Sequence, residues 1–584
     1  MLKKIFKSPL LIPTLLYLIA IALRLYKLDT IPAGITHVEL DYVINAKAIW
    51  LTGKDLSQTW SPWLLQALNS REILAELTSL ILSPFIGPFN FSLFQARLPL
   101  ALIYSFLPVF LYLVTKELIN KYVGLIAGLL FVINPWTLHF GRSAFEAPLP
   151  ILFYLIAFYI ILKNQNWKIL LSFPFLFLAF FTYHGAKPVF LPFIIICLVY
   201  HYLTTKNKKL FKYYAILLGL SLVLVAYFAL SFGSQAASGR SREIIFLNQD
   251  FMASQVNDER LLTIPNSLMP YFSNKLINVS KVFILNYLGA YSTTYLFLFG
   301  DATGVGAHTF WIHGYFYYLD LIFFFLGFAA LFATKRKVWF FLVALLLVIP
   351  IGSAINISSQ SYVHRSALIF PVITIFAAYG IYFLIKQFKY KWLPITIIVG
   401  LYLIMLANFA YLYIYRYPIY NSEGFFFSKR ILSEYLKRSH KQYDQVYVHT
   451  AEPMASFEQF IFFTNNYNSQ IAPEIGRQTQ AQTYQINNIQ FTDKCPTLTL
   501  LDDPQALIII DNIKGCDFED RKTKLQTLGI TRLSDSGALY LIHNDSLCAQ
   551  SHHKDYSRVG SLTDFYINRQ NHDQFCSQWI SQVK

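Results

Sequence analysis

Eleven apolar stretches separated by short polar connections constrain this chain more than any other feature. They run near 9–25, 95–114, 122–138, 148–162, 169–182, 188–203, 211–231, 315–333, 338–353, 366–385 and 393–415. A helix needs about 20 apolar residues to cross a bilayer, and somewhat shorter segments are tolerated. Charged residues make up only 14% of the 584 positions, with mean hydropathy +0.43, whereas a soluble domain carries about a quarter. The pattern predicts an α-helical polytopic membrane protein with about eleven transmembrane helices.

The formal net charge is +16, which raises nucleic acid as a partner, but no motif for RNA or DNA is present. The basic residues fall instead in short connections: Lys3/Lys4/Lys7, Lys116/Lys121, Lys163/Lys168, Lys206/Lys208/Lys209/Lys212, Lys335/Arg336/Lys337 and Lys386/Lys389/Lys391. With eleven spans, all of these lie on one side, the cytoplasmic side by the positive-inside rule. The other side receives 26–94, 139–147, 183–187, 232–314, 354–365 and everything after 416. The expectation is a multi-pass plasma-membrane protein with a cytoplasmic N-terminus and an extracytoplasmic C-terminal domain. A cleaved signal peptide is disfavoured, because Arg24, Tyr26 and Lys27 occupy the zone where a small-residue cleavage site would stand. Within 232–314, the segment 282–301 is apolar enough for a further span or a re-entrant pair. A loop packed on the membrane face is favoured, since one more crossing breaks the charge pattern.

After Arg416 the composition changes, dividing the chain into 1–415 (membrane domain) and 416–584 (small extracytoplasmic α/β domain). SKRILSEYLKRS (428–439) reads as an amphipathic helix with Ile431, Leu432, Tyr435 and Leu436 at helical spacing. QVYVHT (445–450), ALIIID (506–511) and ALYLIH (538–543) read as strands, with a helix at 520–530 between two of them. No glycine-rich phosphate loop follows a strand, so no nucleotide site is expected; a structural or acceptor-binding role fits. Cys495, Cys516, Cys548 and Cys576 all lie here and can pair in three ways. Proximity favours Cys495–Cys516 and Cys548–Cys576, and the lack of any CxxC makes zinc the poorer alternative.

Polar residues collect on the outer side. The first loop, IPAGITHVELDYVINA (31–46), carries His37, Glu39 and Asp41 beside a membrane helix, where acids are costly unless solvated, paired or used in chemistry. It continues through an interfacial helix and Gly53-Lys54-Asp55 to Arg71, Glu72 and Glu76. Arg142 and Glu146 stand at i, i+4 after the third span. His184 and Lys187 share a short loop, Asp301 and His308 end the large one, and His364-Arg365 stand at the mouth of the tenth span. Each has a plain alternative. Arg142–Glu146 reads equally as a helix-end ion pair, His308 as an interfacial histidine, His364-Arg365 as an anchor, and Lys187 and Arg97 as snorkelling cations. Acids and bases from five loops on one face describe a polar cavity at the membrane boundary better than five separate accidents.

An enzyme outside the membrane has neither ATP nor sugar nucleotides to draw on and takes its activated group from a lipid carrier. A carboxylate then serves as general base on the acceptor, while Arg, Lys and His stabilise charge on the departing lipid phosphate. A divalent metal held by His and carboxylates is a further option.

The order and spacing of several motifs now point to a family. Pro32, Gly34 and Glu39 form a PxG…(D/E) first loop, and Arg97 and Pro99 open the second span in ARLPLAL. LIAGLLFVINPWTLHFGRSAFEA, FTYHGAKPVFLP, FLFGD…H and HRSALIFPVITIFAAYG follow. Over roughly its first 415 residues the chain resembles the GT-C superfamily of polyprenyl-phosphate-sugar glycosyltransferases, in the branch of protein O-mannosyltransferases and lipid A aminoarabinose transferases. The C-terminal domain is similar to the extracytoplasmic domains appended to such enzymes. The resemblance implies inverting hexosyl or pentosyl transfer to a protein, lipid or glycan acceptor, with a first-loop acid as base or metal ligand. The family usually shows Asp-Glu where this chain has Val38-Glu39. Glu39 is the favoured acid, with Asp41 or a shifted register as alternatives; an acid lost outright leaves a binder of lipid sugars. Glu146 and Arg142 fall where the second external acid and its neighbour would. Lys187, His364 and Arg365 are candidates for the lipid phosphate, and His37, Arg97, His184, Asp301 and His308 for other substrate contacts. A flippase would need midplane polar residues or internal repeats, and a purely anchoring protein would leave the first-loop acids unexplained.

Overall fold

The computed structural model describes residues 10–60, 65–69, 73–235, 244–245, 248–301, 306–357, 362–516, 527–551 and 559–583. Arg71, Glu72, Lys3, Lys4, Lys7 and most of the expected 520–530 helix lie outside the described residues.

Six helices are long and apolar enough to cross a membrane: Leu93–Leu118, His184–Thr205, Lys208–Leu230, Arg336–Ala354, Ile369–Gln387 and Trp392–Tyr420. Five shorter apolar helices accompany them: Leu11–Leu25 (α1), Lys121–Ile133, Pro148–Lys163, Trp167–Phe181 and Tyr318–Thr334. Each of the expected spans falls on one of these. Lys208–Leu230 and Trp392–Tyr420 bury the least of their apolar surface, which suits helices facing hydrocarbon. The third span is shorter than expected, because Asn134 leaves the helix and caps a new one, Pro135–Phe140. Proline at the first position of that helix loses no hydrogen bond.

The chain folds as two compact units. The first comprises 1–26, 75–78 and 100–409. Around α1 it buries Leu16, Ala20, Val109, Tyr112 and Val132 as one cluster. Tyr318–Thr334 and Ile369–Gln387 cross through facing glycines. A Cβ on Gly327 would lie 1.8 Å from the Phe376 carbonyl oxygen, and one on Gly380 would lie 2.1 Å from that of Phe323. Small residues are what allow membrane helices to approach this closely.

The second unit joins 27–74 and 79–99 to 410–584. The first loop becomes helix His37–Thr52 (α2) followed by a two-residue hairpin, Leu68–Asn69 (β1) and Ile73–Leu74 (β2). Phe427–Ser439 (α3) and Pro453–Thr464 (α4) pack in the same unit. Its main sheet has strands Gln445–His449 (β3), Tyr484–Ile486 (β4), Ile489–Thr492 (β5), Ala506–Asp511 (β6), Thr527–Thr531 (β7), Ala538–His543 (β8) and Ser581–Val583 (β9). Their order is β4-β5-β3-β6-β8-β7-β9. β3 runs parallel to β5 and β6, and the other pairs are antiparallel. β6 is buried along its whole length, which explains why ALIIID is apolar without alternation. Thr527–Thr531 is a strand and not the end of the expected helix. Leu528 and Ile530 pair with Ile542 and Tyr540, so ladder formation prevails over local helical spacing. Disulfides join Cys495 to Cys516 and Cys548 to Cys576.

Candidate functional site

In the first unit, four loops between apolar helices converge, and buried side chains tie them together. The Trp136 indole donates to the Val363 carbonyl (2.9 Å), and the Tyr104 hydroxyl to that of Phe145 (2.5 Å). A His139 ring nitrogen lies 2.6 Å from the Ala307 oxygen. The Tyr315 hydroxyl donates to the His308 carbonyl and accepts from the Asp301 amide. These ties bring Glu146, His308 and His364 together. Glu146 Oε1 lies 3.7 Å from His364 Nε2. The His308 and His364 rings meet edge to face at 4.6 Å, and Tyr183 stacks on His364 at 5.0 Å. Phe140 and Phe145 wall the cluster. His308 is held down to about 3 by burial, with the charges of His139 and Arg365 adding to it, so its imidazole is neutral. Its Nδ1 is buried with no hydrogen-bond partner among the described residues. Asp301 is fully buried and accepts from the Val363 amide at 3.4 Å.

Arg142 and Glu146 do not share a helix face. Residues 141–147 form a turn between Pro135–Phe140 and Pro148–Lys163, so the i, i+4 spacing carries no helical geometry. Arg142 instead donates to the carbonyls of Leu23 (3.1 Å) and Arg24 (2.8 Å) at the end of α1, a cation at a helix C-terminus. Lys187 is also engaged. Its Nζ lies 2.5 Å from Glu76 Oε1 and 3.0 Å from His184 Nδ1, over the Phe228 ring at 3.9 Å. Burial pushes the Glu76 carboxyl upward against the pull of Lys187.

In the second unit, α2 begins with a capping box. Thr36 accepts from the Glu39 amide (3.1 Å), and Glu39 Oε2 accepts from the Thr36 amide (3.0 Å). Glu39 Oε1 faces Arg97 Nε at 3.4 Å, both side chains fully buried. Arg97 further donates to the carbonyls of Pro32 (2.8 Å) and Gly34, binding the first loop to itself. Asp41 is buried two residues on. His37 Nε2 lies 2.9 Å from Glu452 Oε2 and 3.4 Å from Lys429 Nζ, with its ring against Phe426 at 3.6 Å. The His37 hydrogen bond and Lys429 hold the Glu452 carboxyl well below the usual range, against partial burial.

The rest of the second unit shapes this loop. Arg430 donates to the carbonyls of Ala33 and Phe565 (2.7 Å), and Gln459 to that of Ile35 (2.9 Å). Burial and the neighbouring Arg97 charge lower the Arg430 guanidinium to about 10, with Glu434 and Asp29 opposing. At Gly34 a Cβ would stand 2.0 Å from the Phe425 carbonyl oxygen, which is the physical reason for the glycine in the PxG motif. Lys429, Arg430, Glu452 and Gln459 are not apparent from the sequence. Two signals were present: Thr36-x-x-Glu39 has the capping-box pattern, and Phe425-Phe426-Phe427 is an aromatic run outside any span, next to two basic residues.

As for a metal, Glu146, His308 and His364 offer suitable ligand types. Among the described residues only His449, Cys495 and Cys516 gather densely enough to hold an ion, and those two sulfurs are joined in a disulfide.

Residues 77–228 match the family model described as dolichyl-phosphate-mannose-protein mannosyltransferase. Among solved structures, ArnT from Cupriavidus metallidurans in the apo state is similar at 11% identity and TM-score 0.49, covering 91% of this chain and 98% of that one. The same protein bound to undecaprenyl phosphate gives 11% identity and 0.47, with 92% and 99% covered. The archaeal oligosaccharyltransferase AglB from Archaeoglobus fulgidus, in complex with an inhibitory peptide and a dolichol-phosphate, gives 11% identity and 0.43, covering 92% and 74%. No curated protein matches the chain.

Proposed function

We propose that this chain, which resembles the polyprenyl-phosphate-sugar glycosyltransferases of the GT-C superfamily, transfers a sugar from a polyprenyl-phosphate donor to an acceptor on the non-cytoplasmic face, with inversion. The observation that carries this reading is the cluster of Glu146, His308 and His364 with Asp301 and Arg365 nearby, built from loops between apolar helices. An acid, imidazoles and a guanidinium are the groups needed to handle a leaving phosphate. Arg365, which follows His364 in the chain and whose charge acts on His308, is the cation assigned to the lipid phosphate.

In the reaction the acceptor oxygen bonds to the sugar's anomeric carbon as the bond to the phosphate oxygen breaks. The acceptor's proton passes to a carboxylate. Both Glu39 oxygens are engaged at the start of α2, so Glu39 is a positioning residue of the first loop; the base proposed within the first unit's cluster is Glu146, with the first-loop Asp41 the competitor. The two disulfides of the second unit support its placement on the oxidising side of a plasma membrane.

The test is sugar transfer from radiolabelled polyprenyl-phosphate sugars in reconstituted membranes. Glu146→Gln should lower the rate by about 10²–10⁴ while leaving donor binding and melting temperature intact. A comparable loss in Asp41→Asn, with Glu146→Gln fully active, would move the base to Asp41. Wild-type protein inactive towards every such donor would sink the transferase reading.

A further inference from the structure

The second unit forms a partly open cavity of about 270 Å³ that the proposed chemistry does not use. Arg430 and Arg569 line it together with Asp29 and Glu434, and Phe94 and Phe463 supply apolar surface. Charge decides first what it can hold. Two guanidiniums and two carboxylates make the lining formally neutral, so it lacks the net positive field that selects phosphate or carboxylate ligands. Nor does it have the acidic excess of a cation site. A purely apolar ligand would strip water from four charged groups without replacing their hydrogen bonds, at large cost.

What remains is a neutral molecule with an apolar face and an edge rich in both donors and acceptors. A sugar ring has this form. Its C–H face packs on aromatic rings, and its hydroxyls donate to carboxylates and accept from guanidiniums. The lining is also pre-organised. Arg430 is fixed by the carbonyls of Ala33 and Phe565 and lies over Phe463 at 5.6 Å. Arg569 stacks on Tyr566 at 4.4 Å, and Glu434 is held by Arg438 at 2.9 Å. Groups already ordered lose little entropy on binding. The volume corresponds to about nine waters at ~30 Å³ each and sits just below the ~300 Å³ where drug-sized pockets begin. That admits one or two pyranose rings and excludes a polyprenyl chain.

We infer that this cavity is a saccharide-binding subsite. It stands without the transferase reading; where both hold, the bound sugar belongs to the acceptor, which makes the acceptor a carbohydrate-bearing molecule. Free glycan and glycolipid headgroup share this chemistry, and the probes separate them.

The experiment is calorimetric titration of the full chain in a detergent without a sugar headgroup. The probes are methyl mannopyranoside, methyl glucopyranoside, the corresponding disaccharides, an octyl glycoside and inorganic phosphate. At least one saccharide should bind, and phosphate should not displace it. Arg569→Ala and Phe94→Ala should each weaken binding at least tenfold, while Phe94→Tyr retains it. Both positions are exposed, so these variants should melt as wild type does. Tighter binding of the octyl glycoside identifies a glycolipid headgroup, and equal binding a free glycan. The inference is overturned if no saccharide binds, if phosphate competes, or if both alanine variants titrate like wild type. Binding without turnover would support this site while counting against the transferase reading, so the two fail separately.

Discussion

The two units bury arginine in the same way but assemble over different distances. In the first, Arg24 donates to the carbonyls of Ala20 and Thr137, and Arg142 to those of Leu23 and Arg24. In the second, Arg97 and Arg430 donate to the carbonyls of Pro32, Gly34, Ala33 and Phe565. Each guanidinium satisfies backbone acceptors that a loop or helix end leaves open. The first unit, however, presents its ionisable cluster on loops between apolar helices, tied to one another by buried side chains. The second shapes its acid-bearing loop with a side chain 397 positions away. The first unit's cluster is tied across as many as 227 positions, within the run of apolar helices, whereas the first loop is specified by the C-terminal part of the chain.

Single substitutions test that contrast. Arg97→Leu leaves the Glu39 carboxylate buried without its partner, which typically costs about 3–5 kcal/mol. The loss should appear as a lower melting temperature in detergent and as fast amide exchange across 28–45, with the helices of the first unit protected. A wild-type exchange pattern would show that the loop holds itself. Removing the Cys548–Cys576 bond, which closes a separation of 28 residues, should cost about 3–4 kcal/mol by chain entropy. Cys548→Ser should therefore destabilise the second unit alone; an equal effect on both units would mean that they unfold as one.

Thr36→Ala removes half of the capping box and should cost about 1 kcal/mol, seen as roughly fivefold faster exchange of the Val38 and Glu39 amides. Unchanged exchange there would leave the cap without energetic weight. The smallest effect concerns acid. Glu452 titrates below its unfolded value of about 4.3 because His37 and Lys429 favour its charged form. Its contribution is complete above that value and disappears as pH falls through the lower folded value. Glu452 is 48% exposed, so screening limits the contribution to under about 1 kcal/mol. Melting temperature followed from pH 6 to 3 should fall less steeply in Glu452→Gln than in wild type; identical slopes would refute the pairing.

The spans were legible because each is a contiguous apolar run whose meaning depends on no other segment. β3, β6 and β8 were legible for the same reason. β4 and β5 were not, since YQINNIQFT is mostly polar and becomes a hairpin by pairing with β3. The break at Asn134 hides in an unbroken apolar pattern, and with it the turn that separates Arg142 from Glu146. Of the site, the loop acids and bases can be read from charge and position, but their pairings cannot. Glu76 with Lys187 and Glu146 with His364 join loops more than a hundred residues apart. Burial of Lys429, Arg430 and Glu434 on the polar face of α3 likewise contradicts any single-helix view, since an amphipathic pattern assigns those residues to water.

The close approach of Gly34 to Phe425 also sets a timetable. At roughly 5–20 residues per second, the ribosome delivers Arg430 about 20–80 s after Ala33. During that interval the start of α2 has no Phe425 backbone to rest against and no Arg430 to hold its carbonyls. The nascent chain must carry a buried-acid loop in unfinished form and complete it last. Any factor that shields this loop during synthesis acts on a species the mature protein never displays.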